Sequence, residues 1–151
     1  MHITTRQATR DDIPALSRLL GTLFAQEAEF TPDYSAQARG LASIIDHPVV
    51  GHILLAERNK RTVGMVNVLY TISTALGEPV ALFEDIVVDP KLRGQGIGSQ
   101  LMEQAIAFAH SKGCRRITLL LDADNDSAKK FYLSHGFSHS NMVTMRLLLN
   151  N

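Results

Sequence analysis

Between residues 97 and 109 apolar side chains recur in two helical rows, Ile97, Leu101, Ala105 and Phe108 on one and Met102, Ile106 and Ala109 on the next. That 3.6-residue period predicts an amphipathic helix. Residues 2–8 read as a first strand. A helix carrying Ile13, Leu16, Leu20, Leu23 and Phe24 follows, with Asp11 or Asp12 as its cap and Pro14 tolerated in its first turn. Phe30-Thr31-Pro32-Asp33 breaks the pattern before a second helix around residues 35–45, which His47-Pro48 stops. Apolar runs over 50–57 and 62–73 flank the charged turn Arg58-Asn59-Lys60-Arg61 and predict a hairpin. Gly77-Glu78-Pro79 turns the chain into a strand over 80–88. Lys112-Gly113 ends the amphipathic helix, and the Ile- and Leu-rich stretch 116–122 is a further strand. A short helix over 125–134, a turn at His135-Gly136 and a last strand within 142–149 complete the pattern. The order βααβββαβαβ predicts an α/β domain with a mixed, largely antiparallel sheet.

Bulk properties narrow the setting. The 151 residues suit one domain spanning 1–151, and 45% hydrophobic residues suffice for a core without disulfides or metal. The single cysteine, Cys114, has no internal partner, as expected of a cytoplasmic protein. Fifteen basic and fifteen acidic residues cancel, which gives no electrostatic basis for nucleic acid or an anionic membrane. No apolar run approaches the ~18 residues that span a bilayer. The N-terminus lacks the basic-then-apolar layout of a signal peptide. The six histidines show no metal-ligand spacing with one another or with Cys114, so no metal is expected.

The amphipathic helix opens from Val87-Val88-Asp89-Pro90-Lys91-Leu92-Arg93-Gly94-Gln95-Gly96-Ile97-Gly98. A glycine-rich loop running into a helix N-terminus presents unpartnered N–H groups at the positive end of the helix dipole, and phosphate is the usual occupant. A side chain at Gly94, Gly96 or Gly98 is expected to hold the phosphate off the backbone. A P-loop needs Gly-Lys-Ser/Thr, whereas Gly98 is followed by Ser99-Gln100. A dinucleotide fingerprint needs glycine where Ser99 stands, although Asp122 does supply an acid at the end of the next strand. What remains is Arg-x-x-Gly-x-Gly at Arg93, Gly96 and Gly98. That pattern arises by chance in roughly one chain of this length in thirty.

A second motif lies downstream in Asn125-Asp126-Ser127-Ala128-Lys129-Lys130-Phe131-Tyr132-Leu133-Ser134-His135-Gly136-Phe137. Together the two motifs resemble the GNAT superfamily of acetyl-CoA-dependent N-acetyltransferases. The pattern Asn-x-x-Ala-x-x-Phe-Tyr-x-x-x-Gly-Phe is met at Asn125, Ala128, Phe131, Tyr132, Gly136 and Phe137, with the glycine loop one helix and one strand upstream. The resemblance implies a GNAT-like fold with helices on both faces of a sheet that splays between its fourth and fifth strands. It implies acetyl-CoA as cosubstrate. Residues 93–99 (Arg93, Gly94, Gln95, Gly96, Ile97, Gly98, Ser99) would hold the pyrophosphate. Ile86, Val87 and Val88 would offer backbone to the pantetheine arm and to a developing oxyanion, and Asn125 would bond the cofactor. On physics alone Asn125 is equally a helix cap, and Arg93 either meets the phosphate or pins the loop.

Glu84 and Asp85 interrupt a run apolar enough for a central strand. Burying a carboxylate without a partner costs several kcal/mol or raises its pKa. Strand alternation predicts that only one of the pair faces the cleft. Either each carboxylate meets a structural partner, or one holds the acceptor ammonium, takes its proton or orients a water that does. The resemblance favours Glu84 as the base and Tyr132 as the acid for the departing sulfur, the alternative for Tyr132 being core packing beside Phe131. Cys114 has no histidine placed to activate it. Glu27 and Glu29 close the first helix. The segment ending at Glu27 and the strand bearing Glu84 show a short similarity to diamine (spermidine/spermine-type) acetyltransferases, where matching acids contact the polyamine; a polar helix end explains Glu27 equally well.

The expected activity is therefore acetyl transfer from acetyl-CoA to a primary amine, small and cationic, by direct attack in a ternary complex. Glu84 and Tyr132 are the expected catalytic pair, with Glu27 and Asp85 as substrate-binding candidates. Acetylation of a protein N-terminus or lysine is the rival within the family, and a non-catalytic acyl-CoA-binding module the rival outside it. A homodimer is left open.

Overall fold

The computed structural model describes residues 2–27 and 30–150. Glu29, expected at the end of the first helix, lies outside the described residues. Strand β1 (Thr4–Gln7) is followed by helices α1 (Ile13–Phe24) and α2 (Tyr34–Ile45), then strands β2 (Gly51–Arg58), β3 (Arg61–Ser73) and β4 (Glu78–Val88). Helix α3 (Ile97–Ser111), strand β5 (Ile117–Leu119) and helix α4 (Asp126–Ser134) complete the regular elements. The sheet order is β1-β2-β3-β4-β5, antiparallel except for the parallel β4–β5 pair.

Local chemistry accounts for most boundaries. Asn59 and Lys60 adopt left-handed φ values of 53° and 62°, as a two-residue hairpin turn requires. Asp33 caps α2 by accepting the Ala36 N–H at 3.1 Å. Neither Asp11 nor Asp12 caps α1 in the expected way. The Asp12 carboxylate is instead bound by the Arg6 guanidinium at 2.8 Å and by the Thr9 N–H at 2.7 Å.

The sheet divides two cores. Ala81, Phe83, Val66 and Val68 pack against Ile97, Leu101, Met102 and Ala105 of α3, with Phe131 and Tyr132 of α4 at the margin. Leu55, Met65 and Val87 pack on the other face against Leu16, Leu19, Leu20 and Leu41 of α1 and α2. Each helix thus buries its apolar stripe on one face of the sheet.

Two features depart from the sequence pattern. In β4 the register shifts by one residue between the pairs Asn67↔Glu84 and Met65↔Val87, and Asp85 takes a φ of 54°. This is a β-bulge, and it resets the side-chain alternation. The strand expected within 142–149 does not form. That segment forms no regular element, and its Met142, Val143, Met145, Leu147, Leu148 and Leu149 are all 79–92% exposed. The strand expected over 116–122 is correspondingly short. Among the described residues no strand pairs with it beyond Leu119, and Leu120 and Leu121 are exposed.

Candidate active site

Strands β4 and β5 pair only at Ala81↔Ile117, Leu82↔Thr118 and Phe83↔Leu119. After Phe83 the two diverge, so residues 84–88 present a backbone edge with no strand on the β5 side. The bulge at Asp85 lies where the pairing ends, and a bulge adds local twist to its strand. Ile86 and Val88 lean on the α3 core, while Val87 packs into the α1–α2 core. Their side chains are occupied, which leaves their backbone as what they offer the cleft.

The glycine loop lies at the end of that edge. Gly94 and Gly96 have φ values of 79° and 83°, and nothing lies within 4 Å of where a Cβ would stand on either. Gly96 is the N-cap of α3, so the N–H groups of Ile97, Gly98 and Ser99 are its first turn and lack intrahelical acceptors. Open space in front of aligned N–H groups at a 15-residue helix suits a pyrophosphate. A methyl at Gly98 would stand 3.5 Å from the Phe131 ring and 3.7 Å from Val88, in ordinary van der Waals contact with both. Arg93 donates to the Gln26 side chain at 3.3 Å and Gln95 accepts from Arg58 at 3.2 Å, contacts that hold the loop to its surroundings.

The two sequence motifs meet at this point. Beyond the Gly98–Phe131 approach, His135 Nε2 lies 3.1 Å from Ser99 Oγ, and its ring packs on Phe131 with centroids 4.8 Å apart. Tyr132 stands edge-on to Phe131 and Phe137 at centroid distances of 5.2 and 5.8 Å. Among the described residues its hydroxyl has no hydrogen-bond partner. Burial pushes the phenol up to about 12, so it stays protonated at neutral pH. Asn125 is exposed and caps α4, accepting the Ala128 N–H at 3.1 Å.

The bulge corrects the expectation that Glu84 and Asp85 face opposite ways. Glu84 pairs across the ladder with Asn67, and directly opposed residues share a face. Asp85, one residue on, also reaches Asn67, whose Nδ2 donates to its Oδ2 at 2.6 Å. Both carboxylates therefore lie on the face that carries α1 and α2. Glu84 is exposed, whereas Asp85 is half-buried. Burial, reinforced by the charges of Glu84 and Glu27, pushes Asp85 up to about 6 despite the Asn67 bond. Glu27 is raised too, by burial first and then by Asp122 and Glu84. Four carboxylates from the end of α1, from β4 and from the segment after β5 thus feel one another.

Asp85 and Asn67 floor a cavity of about 310 Å³ between the helices and the sheet, walled by Leu20, Phe24, Phe30, Leu41 and Ile44. Asn67 was not singled out from the sequence. Its signal is a lone amide inside the apolar run 63–69, where it is 3% exposed. Among the described residues its buried Oδ1 has no hydrogen-bond partner. An orphaned acceptor costs about 1–3 kcal/mol, and beside a carboxylate the group that would relieve it is a donor of positive charge. Burial pushes the Cys114 thiol up, away from the thiolate a nucleophile needs.

Residues 15–137 match the model of the acetyltransferase (GNAT) family. The chain is 32% identical over 135 residues to the aminoalkylphosphonate N-acetyltransferase of Salmonella typhimurium, covering 89% of this chain and 84% of that protein. It is 34% identical over 93 residues to the thialysine N-epsilon-acetyltransferase of Bos taurus, covering 60% of this chain and 54% of that protein. The crystal structure of a possible acetyltransferase from Clostridium difficile superposes with a TM-score of 0.88 at 16% identity over the whole of both chains. The splayed sheet, the glycine loop and these relatives define an acyltransferase that uses acetyl-CoA as its cosubstrate. The chain belongs to the acetyltransferase (GNAT) family.

Proposed function

We propose that the protein acetylates a small primary amine presented as its ammonium ion in the cavity floored by Asp85 and Asn67. The observation that carries this reading is the unpartnered Asn67 Oδ1 beside the Asp85 carboxylate. An ammonium N–H donates to both, whereas an alcohol or a thiol offers a single hydrogen and no charge. The relatives named for aminoalkylphosphonates and thialysine support an amine carried on a small molecule.

The thioester supplies an acyl carbon open to attack and a thiolate that can leave. Asp85 takes the first proton from the ammonium, a task suited to a carboxylate raised to about 6. Glu84 and Glu27, outside the cavity floor, hold the cation on its approach. We assign the base to Asp85 rather than to the sequence-favoured Glu84 because Asp85 is the less exposed of the pair and the one that lines the cavity. As the carbon–nitrogen bond forms and the carbon–sulfur bond breaks, the sulfur takes up the second nitrogen-bound proton. Tyr132 relays it by giving up its own proton and receiving the nitrogen's. The relay matters because a phenol near 12 cannot be left ionised by a thiol that ionises near ~8.5 in water. The free edge of residues 86–88 aligns the pantetheine arm, and the first turn of α3 holds the pyrophosphate.

A turnover screen with acetyl-CoA across aminoalkylphosphonates, diamines, amino acids, aminoglycosides and N-terminal peptides tests the reading. We expect a small-molecule amine to turn over and Asn67→Leu to abolish the reaction while leaving CoA binding intact. Turnover of peptides alone, or an unaffected Asn67→Leu, would overturn it.

A further inference from the structure

We infer that the acceptor is an amine with a hydrocarbon body and no second charged group, and that the cavity above Asp85 and Asn67 selects against amines bearing a carboxylate, phosphonate or phosphate. The inference rests on the acceptor site proposed above and concerns what lies behind the reacting nitrogen.

The floor offers polar partners for one ammonium group, the Asp85 carboxylate and the Asn67 Oδ1. The rest of the wall is mostly apolar. Leu20, Leu41 and Ile44 line it together with the rings of Phe24 and Phe30, whose centroids are 5.5 Å apart. Two of the polar side chains on the wall are already committed. Gln37 donates to the Ser17 carbonyl at 2.9 Å and accepts the Asp33 N–H at 2.8 Å. Asp33 in turn caps α2 through the Ala36 N–H. Thr31, the remaining one, is exposed. A second polar group on the acceptor would give up water in this space and gain little in return.

Charge points the same way. Among the described residues no lysine, arginine or histidine lines the cavity. The Arg146 guanidinium stands 6.0 Å from the centre of the Phe30 ring but is not part of the lining. Glu27 feels the charges of Asp122 and Glu84, so an anionic acceptor meets like charge before it reaches the floor. The volume of about 310 Å³ is at the small end of ligand pockets, which run from roughly 300 to 1,000 Å³, and so suits a short alkyl chain or a single ring.

Three acceptors of one length provide the test. Hexylamine, hexamethylenediamine and aminohexanoate end in a methyl group, an ammonium and a carboxylate. With acetyl-CoA, kcat/KM for hexylamine should exceed that for either of the others by more than about tenfold. From methylamine upward it should rise by roughly fourfold per methylene, the worth of one buried methylene, until the cavity is full. Gly40 lines the cavity from α2, and a Cβ there would meet nothing within 4 Å, so Gly40→Lys adds a cation to the wall without a clash. That variant should shift the ratio of aminohexanoate to hexylamine turnover upward by roughly fivefold. A preferred diamine or aminohexanoate, a flat chain-length series, or an unmoved ratio in Gly40→Lys would overturn the inference. If Gly40→Lys fails to fold, the series with the unaltered protein decides. Asn67→Leu tests the site apart from the class. Loss of a preferred aminohexanoate reaction in that variant would keep the site and discard the hydrocarbon class. Hexylamine turnover that survives Asn67→Leu, or no turnover of any amine, would remove the site and this inference with it.

Discussion

Asp85 is a half-buried carboxylate at a left-handed φ with two other acids close enough to raise its pKa. The folded protein binds its proton more tightly than the unfolded chain does, so its contribution to stability is present below pH 4 and is lost as pH rises through about 6. A rise of about two units corresponds to about 3 kcal/mol at neutral pH. Asp85→Asn should therefore raise the denaturation midpoint at pH 7.5 and leave it unchanged near pH 3.5. Equal midpoints at both pH values would show that the native carboxyl is not strained. The same variant should lose turnover and the limb of kcat/KM that rises through about pH 6, while Glu84→Gln should raise KM with little change in kcat. A limb lost with Glu84→Gln and kept with Asp85→Asn would return the base to Glu84. Tyr132→Phe keeps the ring contacts with Phe131 and Phe137 and removes only the hydroxyl. Turnover should fall by roughly 10²–10⁴-fold with CoA affinity retained, and a variant of normal kcat would remove Tyr132 from the proton path. The sequence marked these acids as anomalous because they broke an apolar run. It gave no sign that both share a face, because one inserted backbone residue is invisible to period-2 reasoning.

At the scale of elements, the proposed cosubstrate site rests on the α3 N-terminus and the β4–β5 divergence. The loop was legible because Arg93, Gly96 and Gly98 precede a strongly periodic helix. The conformation behind one glycine was not, since Gly96 answers a left-handed backbone that composition does not reveal. Gly96→Val forces a β-branched residue to a φ of 83° and puts a side chain in the open space before the helix N–H groups. CoA affinity should drop by about tenfold or more by calorimetry, at a cost of about 1–2 kcal/mol in stability. Unchanged affinity in the folded variant would mean that the pyrophosphate lies elsewhere. The last strand failed for a physical reason. Alternation reports that a segment is suited to a ladder, but whether a ladder forms depends on an edge within reach.

Across the whole molecule the charges cancel, with 15 basic and 15 acidic residues, yet their distribution is uneven. Glu27, Glu84, Asp85 and Asp122 converge at the mouth of the splayed sheet from parts of the chain nearly a hundred residues apart. Such a cluster is repulsive when empty and attractive to a cation, and protons compete with that cation for it. Both Glu27 and Asp85 are raised, so below about pH 6 the cluster is progressively neutralised by protons. A bound ammonium should therefore stabilise the protein more at pH 7.5 than at pH 5, and the difference should shrink in high salt. Thermal shifts with a primary amine substrate, measured at both pH values and at low and high ionic strength, provide the check. The Asp85→Asn variant should lose much of the pH dependence while keeping part of the shift, because Glu84 and Glu27 still attract the cation. A shift that is the same at both pH values would mean that the amine binds away from these carboxylates, and the assignment of the cavity as the acceptor site would fall with it.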